Sequence, residues 1–250
     1  MLLAFVAPLG LIIGSFLNVV AYRLPRGESI VKPRSRCTTC GTEVRALDNI
    51  PLLSWLVLRG RCRHCSAQIS ARYPVVELVT GAVFALVAVV RGPSLELIVD
   101  LPFAAMLIAV ADIDLEHGIV PNRILAPMAI WAVAASAVVR TGKLPELLIA
   151  GAGAFAFLLV AALAYPGGMG MGDVKLAGVM GLCLGLPVAP ALLIAFLTGS
   201  VVGVGIMLRH GAAARKRAVP FGPFLALGGL VALVVGPELI NLYSHGFLGG

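Results

Sequence analysis

Apolar residues in this chain fall into long runs, and charged residues gather in a few clusters between them. Residues 1–22 form the first run, which ends at Arg23 and Arg26. Further runs cover 75–90, 95–111, 124–139 and 144–165. Each approaches the ~20 residues an α-helix needs to cross the hydrocarbon of a bilayer. The stretch 174–208 is too long for one helix, and Pro187 and Pro190 divide it into an outward and an inward span. A final run opens at Pro220-Phe221-Gly222-Pro223 and ends near Leu242. The pattern predicts an all-α polytopic integral membrane protein of about eight transmembrane helices, with both termini outside and one hydrophilic insert between the first two spans.

Composition agrees with the pattern. The chain is 60% hydrophobic and 12% charged, about half the charged share of a soluble domain. The net charge of +7 is therefore read first as topology. Between Arg23 and Arg72 stand ten Lys or Arg against Glu28, Glu43 and Asp48. The positive-inside rule makes this segment cytoplasmic, along with the later cluster Arg209, Arg215, Lys216 and Arg217. Topology accounts for the charge, so membrane lipid is an expected partner and nucleic acid is not. In the first run the positive charges follow the apolar stretch, the reverse of a secretory signal, which predicts an uncleaved span. Gly10, Gly14 and Ser15 offer a close helix contact, and Asn18 an interhelical hydrogen bond.

The insert has its own chemistry. Cys37-Thr38-Thr39-Cys40 and Cys62-Arg63-His64-Cys65 are CxxC pairs separated by 21 residues. Each pair can bind one side of a tetrahedral ion, which makes Cys37, Cys40, Cys62 and Cys65 the expected ligands of a zinc ion. Four cysteines leave no open position, so the zinc is structural, with His64 a bystander. Arg36, Arg61 and Arg63 flank the pairs and favour thiolates. The competing readings, two disulfides or four free thiols, fit a cytoplasmic loop less well where disulfides are concerned. Cys183 lies in an apolar run and reads as packing. No internal repeat or low-complexity segment stands out.

Acids are scarce, and their placement matters for that reason. Asp112-Ile113-Asp114-Leu115-Glu116-His117 closes one apolar run, and Gly170-Met171-Gly172-Asp173-Val174-Lys175 opens another. A carboxylate near hydrocarbon is costly and marks a functional site. The predicted topology brings Asp114 and Asp173 to the same membrane face. Two carboxyls sharing a proton can supply both the base that activates water and the acid that protonates a leaving nitrogen. Residues 166–172 hold four glycines, which rules out an ordinary helix there and allows an extended substrate to approach. Lys175 is near enough in sequence to join the site, and Glu77 is an acid near the inner end of the second span. The bland reading is a polar helix end at Asp112, Asp114 and Glu116, and a simple cap at Gly170 to Asp173.

These residues together resemble the bacterial prepilin leader peptidases, membrane aspartic proteases with a Gly-x-Gly-Asp motif. Gly170-Met171-Gly172-Asp173 matches that motif, and Asp114, seven residues before Pro121-Asn122, has the spacing of the family's first catalytic aspartate. Asp112 is then an extra acid. Gly14-Ser15-Phe16-Leu17-Asn18, Tyr22-Arg23-Leu24-Pro25, Asp48-Asn49-Ile50-Pro51, Arg72-Tyr73-Pro74 with Glu77, and Pro220-Phe221-Gly222-Pro223 are similar to further family motifs.

The resemblance implies that Asp114 and Asp173 are catalytic, and that prepilins or pilin-like secretion proteins are cut after a glycine at the cytoplasmic face of the inner membrane. The cysteine insert implies the bifunctional type, which also methylates the new N-terminus with S-adenosylmethionine. Residues 1–22 are then the first span, 23–73 the zinc-binding loop and candidate methyltransferase region, and 74–250 the peptidase domain of about seven helices. Two other classes are expected to fail. A proton-coupled transporter would place its acids near the midplane. A non-enzymatic assembly protein would use the zinc loop alone.

Overall fold

The computed structural model describes residues 1–165, 168–210 and 220–247. All regular structure among them is helical apart from two isolated β-bridges in the insert. The chain divides into two compact units, Met1–Ser94 and Leu95–Gly250.

The first unit is a helical hairpin with the insert at its tip. α1 (Leu2–Arg23) and α3 (Arg72–Arg91) pack along their length. Glycine permits this contact. A Cβ at Gly10 would stand 2.8 Å from the Cα of Gly81, and one at Gly14 would stand 2.7 Å from the Cα of Glu77. Close approach of two apolar helices maximises van der Waals contact where lipid offers no hydrophobic drive. Asn18 spans the pair, its Nδ2 donating to the Tyr73 carbonyl at 3.1 Å. Between the helices lie a 3-10 turn (Ala46–Asn49) and the short helix α2 (Leu53–Val57). Neither follows from the periodicity, because five residues cannot display a helical period.

The second unit holds α4 (Leu97–His117), α5 (Asn122–Val139), α6 (Leu144–Ala164), α7 (Met171–Leu184), α8 (Val188–His210) and α9 (Gly222–Phe247). α7 is its centre. The helix packs on α4, α5, α6, α8 and α9, and nine of its 14 residues are buried. At 14 residues it is about 21 Å long, shorter than the ~30 Å hydrocarbon layer. Its neighbours cover it instead. Gly181 meets the backbone of Ala150 and Gly151 on α6 so closely that a Cβ would stand 2.5 Å from the Ala150 carbonyl. The helix ends at Gly185, whose φ of +70° suits glycine, and Pro187 then starts the turn into α8.

Eight helices of 14 residues or more occur among the described residues. Five of them, α1, α3, α5, α6 and α8, are long and apolar enough to cross a membrane by length and composition. α4 departs from that pattern because it carries Asp100, Asp112, Asp114 and Glu116. It also runs through His117, beyond the expected end at 111, so Asp114 lies inside the helix. Near the end of α4 opposite Asp114, the buried Arg140 donates to Asp100 Oδ1 and to the Cys183 carbonyl, both at 2.6 Å. One guanidinium thus joins α4, α7 and the end of α5. Pro166, Gly167 and the basic residues Arg215, Lys216 and Arg217 lie outside the described residues.

Candidate active site and metal centre

Asp114 occupies the last turn of α4. The helix stops at Gly118, in the left-handed region at φ +64°, where its amide closes onto the Asp114 carbonyl at 2.9 Å. The Asp114 side chain is only 4% exposed, and its Oδ2 accepts the Gly222 amide at 2.9 Å. That amide belongs to the first turn of α9, where free N–H groups and the helix dipole favour a carboxylate. Pro220-Phe221-Gly222-Pro223 is therefore part of the site. A Cβ on residue 222 would lie 2.7 Å from Asp114 Oδ2.

Asp173 sits in the first turn of α7, its amide closing onto the Gly170 carbonyl at 3.1 Å. Gly170 caps the helix in an extended conformation, and Gly172 is already helical, so the expected irregular stretch is shorter than 166–172. Gly172 is required by crowding: a Cβ there would stand 2.7 Å from Cβ of Val120, in the segment joining α4 to α5. The Asp173 side chain is 8% exposed, and its buried Oδ1 has no hydrogen-bond partner among the described residues. Buried polar atoms are nearly always bonded, and one that is not calls for an explanation. Asp114 and Asp173 are electrostatic neighbours. Two buried carboxylates thus come from two helix ends, one oxygen fixed by an amide and another uncommitted.

Other candidates are placed differently. Lys175 donates to Asn122 Oδ1 at 3.1 Å, tying α7 to α5 rather than serving Asp173. Asp112 is half-buried. Glu77, unassigned by sequence reasoning, is buried and accepts the Leu52 amide at 2.8 Å. Leu52 has φ +60°, so this carboxylate secures a strained turn at the start of α2.

In the insert, Cys37, Cys40, Cys62 and Cys65 are all reduced, and their sulfurs lie within 4.8 Å of one another. Cys37 and Cys65 are 3.8 Å apart. Four sulfurs on a tetrahedral zinc ion at about 2.3 Å would be about 3.8 Å apart, so the four residues fit the metal. Each pair sits in the same turn. The Cys37 amide donates to Thr42 O and the Gly41 amide returns to Cys37 O; the Cys62 amide donates to Ala67 O and the Ser66 amide to Cys62 O. A bridge closes each turn, Arg36 to Glu43 and Arg61 to Gln68. This short repeat, Arg-Cys-x-x-Cys-Gly/Ser-x-Glu/Gln, escaped the sequence reading because only three positions are identical.

Amides of Cys40 and Thr39 lower the Cys37 thiol, those of Cys65 and His64 lower Cys62, and the Thr42 hydroxyl and amide lower Cys40. Cys65 receives the Ala67 amide, which lowers it, but desolvation and the three neighbouring sulfurs push it to about 11. The fourth proton is thus held by crowded sulfur, a place a divalent cation would fill. Arg63 does not serve the sulfurs; it forks onto Asp48 at 2.6 and 2.9 Å and holds that carboxyl below the usual range.

Comparisons with known proteins match both parts of the chain. Residues 9–91 match the family described as Bacterial Peptidase A24 N-terminal domain, and residues 101–208 match the Type IV leader peptidase family. One match falls within each compact unit. Among curated relatives, the prepilin leader peptidase/N-methyltransferase of Bacillus subtilis is 36% identical over 241 residues, covering 96% of this chain and 97% of its own. That of Aeromonas hydrophila is 36% identical over 271 residues, covering 95% and 92%. That of Dichelobacter nodosus is 34% identical over 275 residues, covering 96% and 94%. No solved structure matches the chain. With matches of this identity over nearly its full length, the chain belongs to the prepilin leader peptidase/N-methyltransferase family.

Proposed function

We propose that this multi-pass membrane protein cleaves the leader of type IV prepilins or pilin-like secretion proteins after glycine, with Asp114 and Asp173 as the catalytic pair, and then N-methylates the new N-terminus. The observation that carries the peptidase reading is a pair of buried carboxylates at helix ends, near enough to interact electrostatically, one of them with an oxygen that bonds to no described residue. Asp114, oriented by the Gly222 amide, keeps its carboxylate in one position. Asp173 Oδ1 is free to hold a water. Sharing one proton, the pair would activate that water against the scissile carbonyl and return the proton to the leaving nitrogen. Gly170 leaves backbone space beside Asp173, since even a Cβ there would come no nearer than 3.5 Å to the carboxylate. A transporter would need its acids mid-span, whereas Asp114 and Asp173 occupy terminal turns.

The insert at 23–73 is the candidate methyltransferase region, with S-adenosylmethionine as the donor that supplies the methyl group, and 74–250 is the peptidase domain. Cys37, Cys40, Cys62 and Cys65 would hold a zinc ion that orders the insert without acting on substrate. The positive-inside pattern supports a cytoplasmic insert and active site in the bacterial inner membrane.

The test is mass spectrometry of a co-expressed prepilin. The wild type should yield a product trimmed after glycine and carrying one added methyl group. Asp114→Asn and Asp173→Asn should each leave the precursor uncut while the enzyme stays inserted. Cleavage that survives either change removes that aspartate from the mechanism.

A further inference from the structure

The insert carries an apolar face that its own fold does not bury. Leu53, Leu56 and Val57 stand at the i, i+3 and i+4 positions of α2 and are 60%, 63% and 76% exposed. Leu47 and Ile50 are exposed beside them. Leu47, Ile50, Leu53, Val57 and Leu58 line one cleft together with Asp48, Ser54 and Arg63, and Leu56 follows Leu53 one helical turn on. The other side of α2 is occupied: Trp55 Nε1 donates to the Ile69 carbonyl at 3.2 Å, and its ring packs over Gly60. The patch is also held in place. Asp48, on the rim of the cleft, is clasped by Arg63 of the second cysteine turn, and Glu77 of α3 holds the Leu52 amide where α2 begins.

Charge and position identify what covers this face. The insert carries ten Lys or Arg against three acids. Arg45 and Arg59, which flank the apolar positions in sequence, are both exposed. The segment leaves α1 at Arg23 and enters α3 at Arg72, and both helices are long and apolar enough to cross a membrane. It therefore emerges at the bilayer surface. An apolar face with a cationic surround at that level has the chemistry of an interfacial anchor: side chains enter the acyl boundary while arginines meet anionic headgroups.

We infer that the face made by Leu47, Ile50, Leu53, Leu56 and Val57 docks on the anionic phospholipid of the leaflet from which the insert emerges. The cysteine cluster, through Arg63 and Asp48, sets the angle of that contact. The inference stands apart from the peptidase reading, since it needs only the two spans and the insert between them.

The test places a reporter on the face. Full-length Leu56→Trp protein is reconstituted in nanodiscs containing anionic phospholipid, with or without bromine on the acyl chains. Val57→Trp serves as a second reporter, and an unchanged thermal transition shows that each variant is folded. The added emission should fall roughly twofold with brominated lipid, as for a ring about 5–10 Å into the interface, and should resist aqueous iodide. Quenching by iodide and not by bromine overturns the inference. So does lipid protection that appears only after a prepilin is added, which would give the face to substrate. Equal quenching in wholly zwitterionic discs overturns the assignment to anionic headgroups.

Discussion

A methyl group at position 222 would press on the carboxylate that the same residue's amide holds, so Asp114 and Gly222 work as a pair. Gly222→Ala should displace that carboxylate and weaken a hydrogen bond to a charged group, worth about 1.5–3 kcal/mol. Prepilin cleavage should fall roughly tenfold to a hundredfold, with zinc content unchanged; a precursor-conversion time course beside metal analysis checks this. Gly172→Ala meets Val120 and should reduce cleavage in the same assay by moving Asp173. At this scale the sequence was informative about acids and silent about their supports. Asp114 and Asp173 stood out because carboxylates are rare in so apolar a chain. Gly222 was marked only as part of Pro220-Phe221-Gly222-Pro223, without a role, because it acts through its backbone amide 108 positions after Asp114. Glu77 stood out as an acid, but its bond to Leu52 depends on a turn at positive φ that no side-chain pattern announces.

Helices in the second unit are braced at both ends. Near one end of α4 and α7 are the two aspartates; towards the other, Arg140 joins them through Asp100 and the Cys183 carbonyl. Arg140→Met would take from the buried Asp100 its ion-pair partner, a loss of about 3–5 kcal/mol when one member of such a pair is removed. Thermal unfolding in detergent should show a lower transition for that variant, and the double variant Arg140→Met, Asp100→Leu should recover much of the loss. The long helices were legible as apolar runs, and Pro187 correctly marked the region between α7 and α8. α7 itself read as a full span. It is a short, covered helix, and the run hid this because a helix buried among other helices is as apolar as one facing lipid. α2 and the paired cysteine turns were too short for any period to show.

Metal and membrane act on the molecule as a whole. The four sulfurs gather two turns that are 21 residues apart and lack any disulfide, so a zinc ion held there would be the long-range tie of the insert. The double variant Cys37→Ser, Cys62→Ser should lose bound zinc and expose residues 24–71 to protease, while the thermal transition of Leu95–Gly250 stays where it was. Metal analysis with limited proteolysis reads both effects. Membrane class, insert and family were all legible before any coordinates, because composition, cysteine spacing and ordered motifs each survive without tertiary detail. The division at Ser94 and Leu95 was not, since Arg91-Gly92-Pro93 reads like any other short turn between two apolar helices. That boundary has an evolutionary reading. It follows two helices long and apolar enough to cross a membrane, α1 and α3, and a chain that crosses twice returns to the side from which it entered. A unit with an even number of crossings could change without reversing the orientation of the helices that carry Asp114 and Asp173.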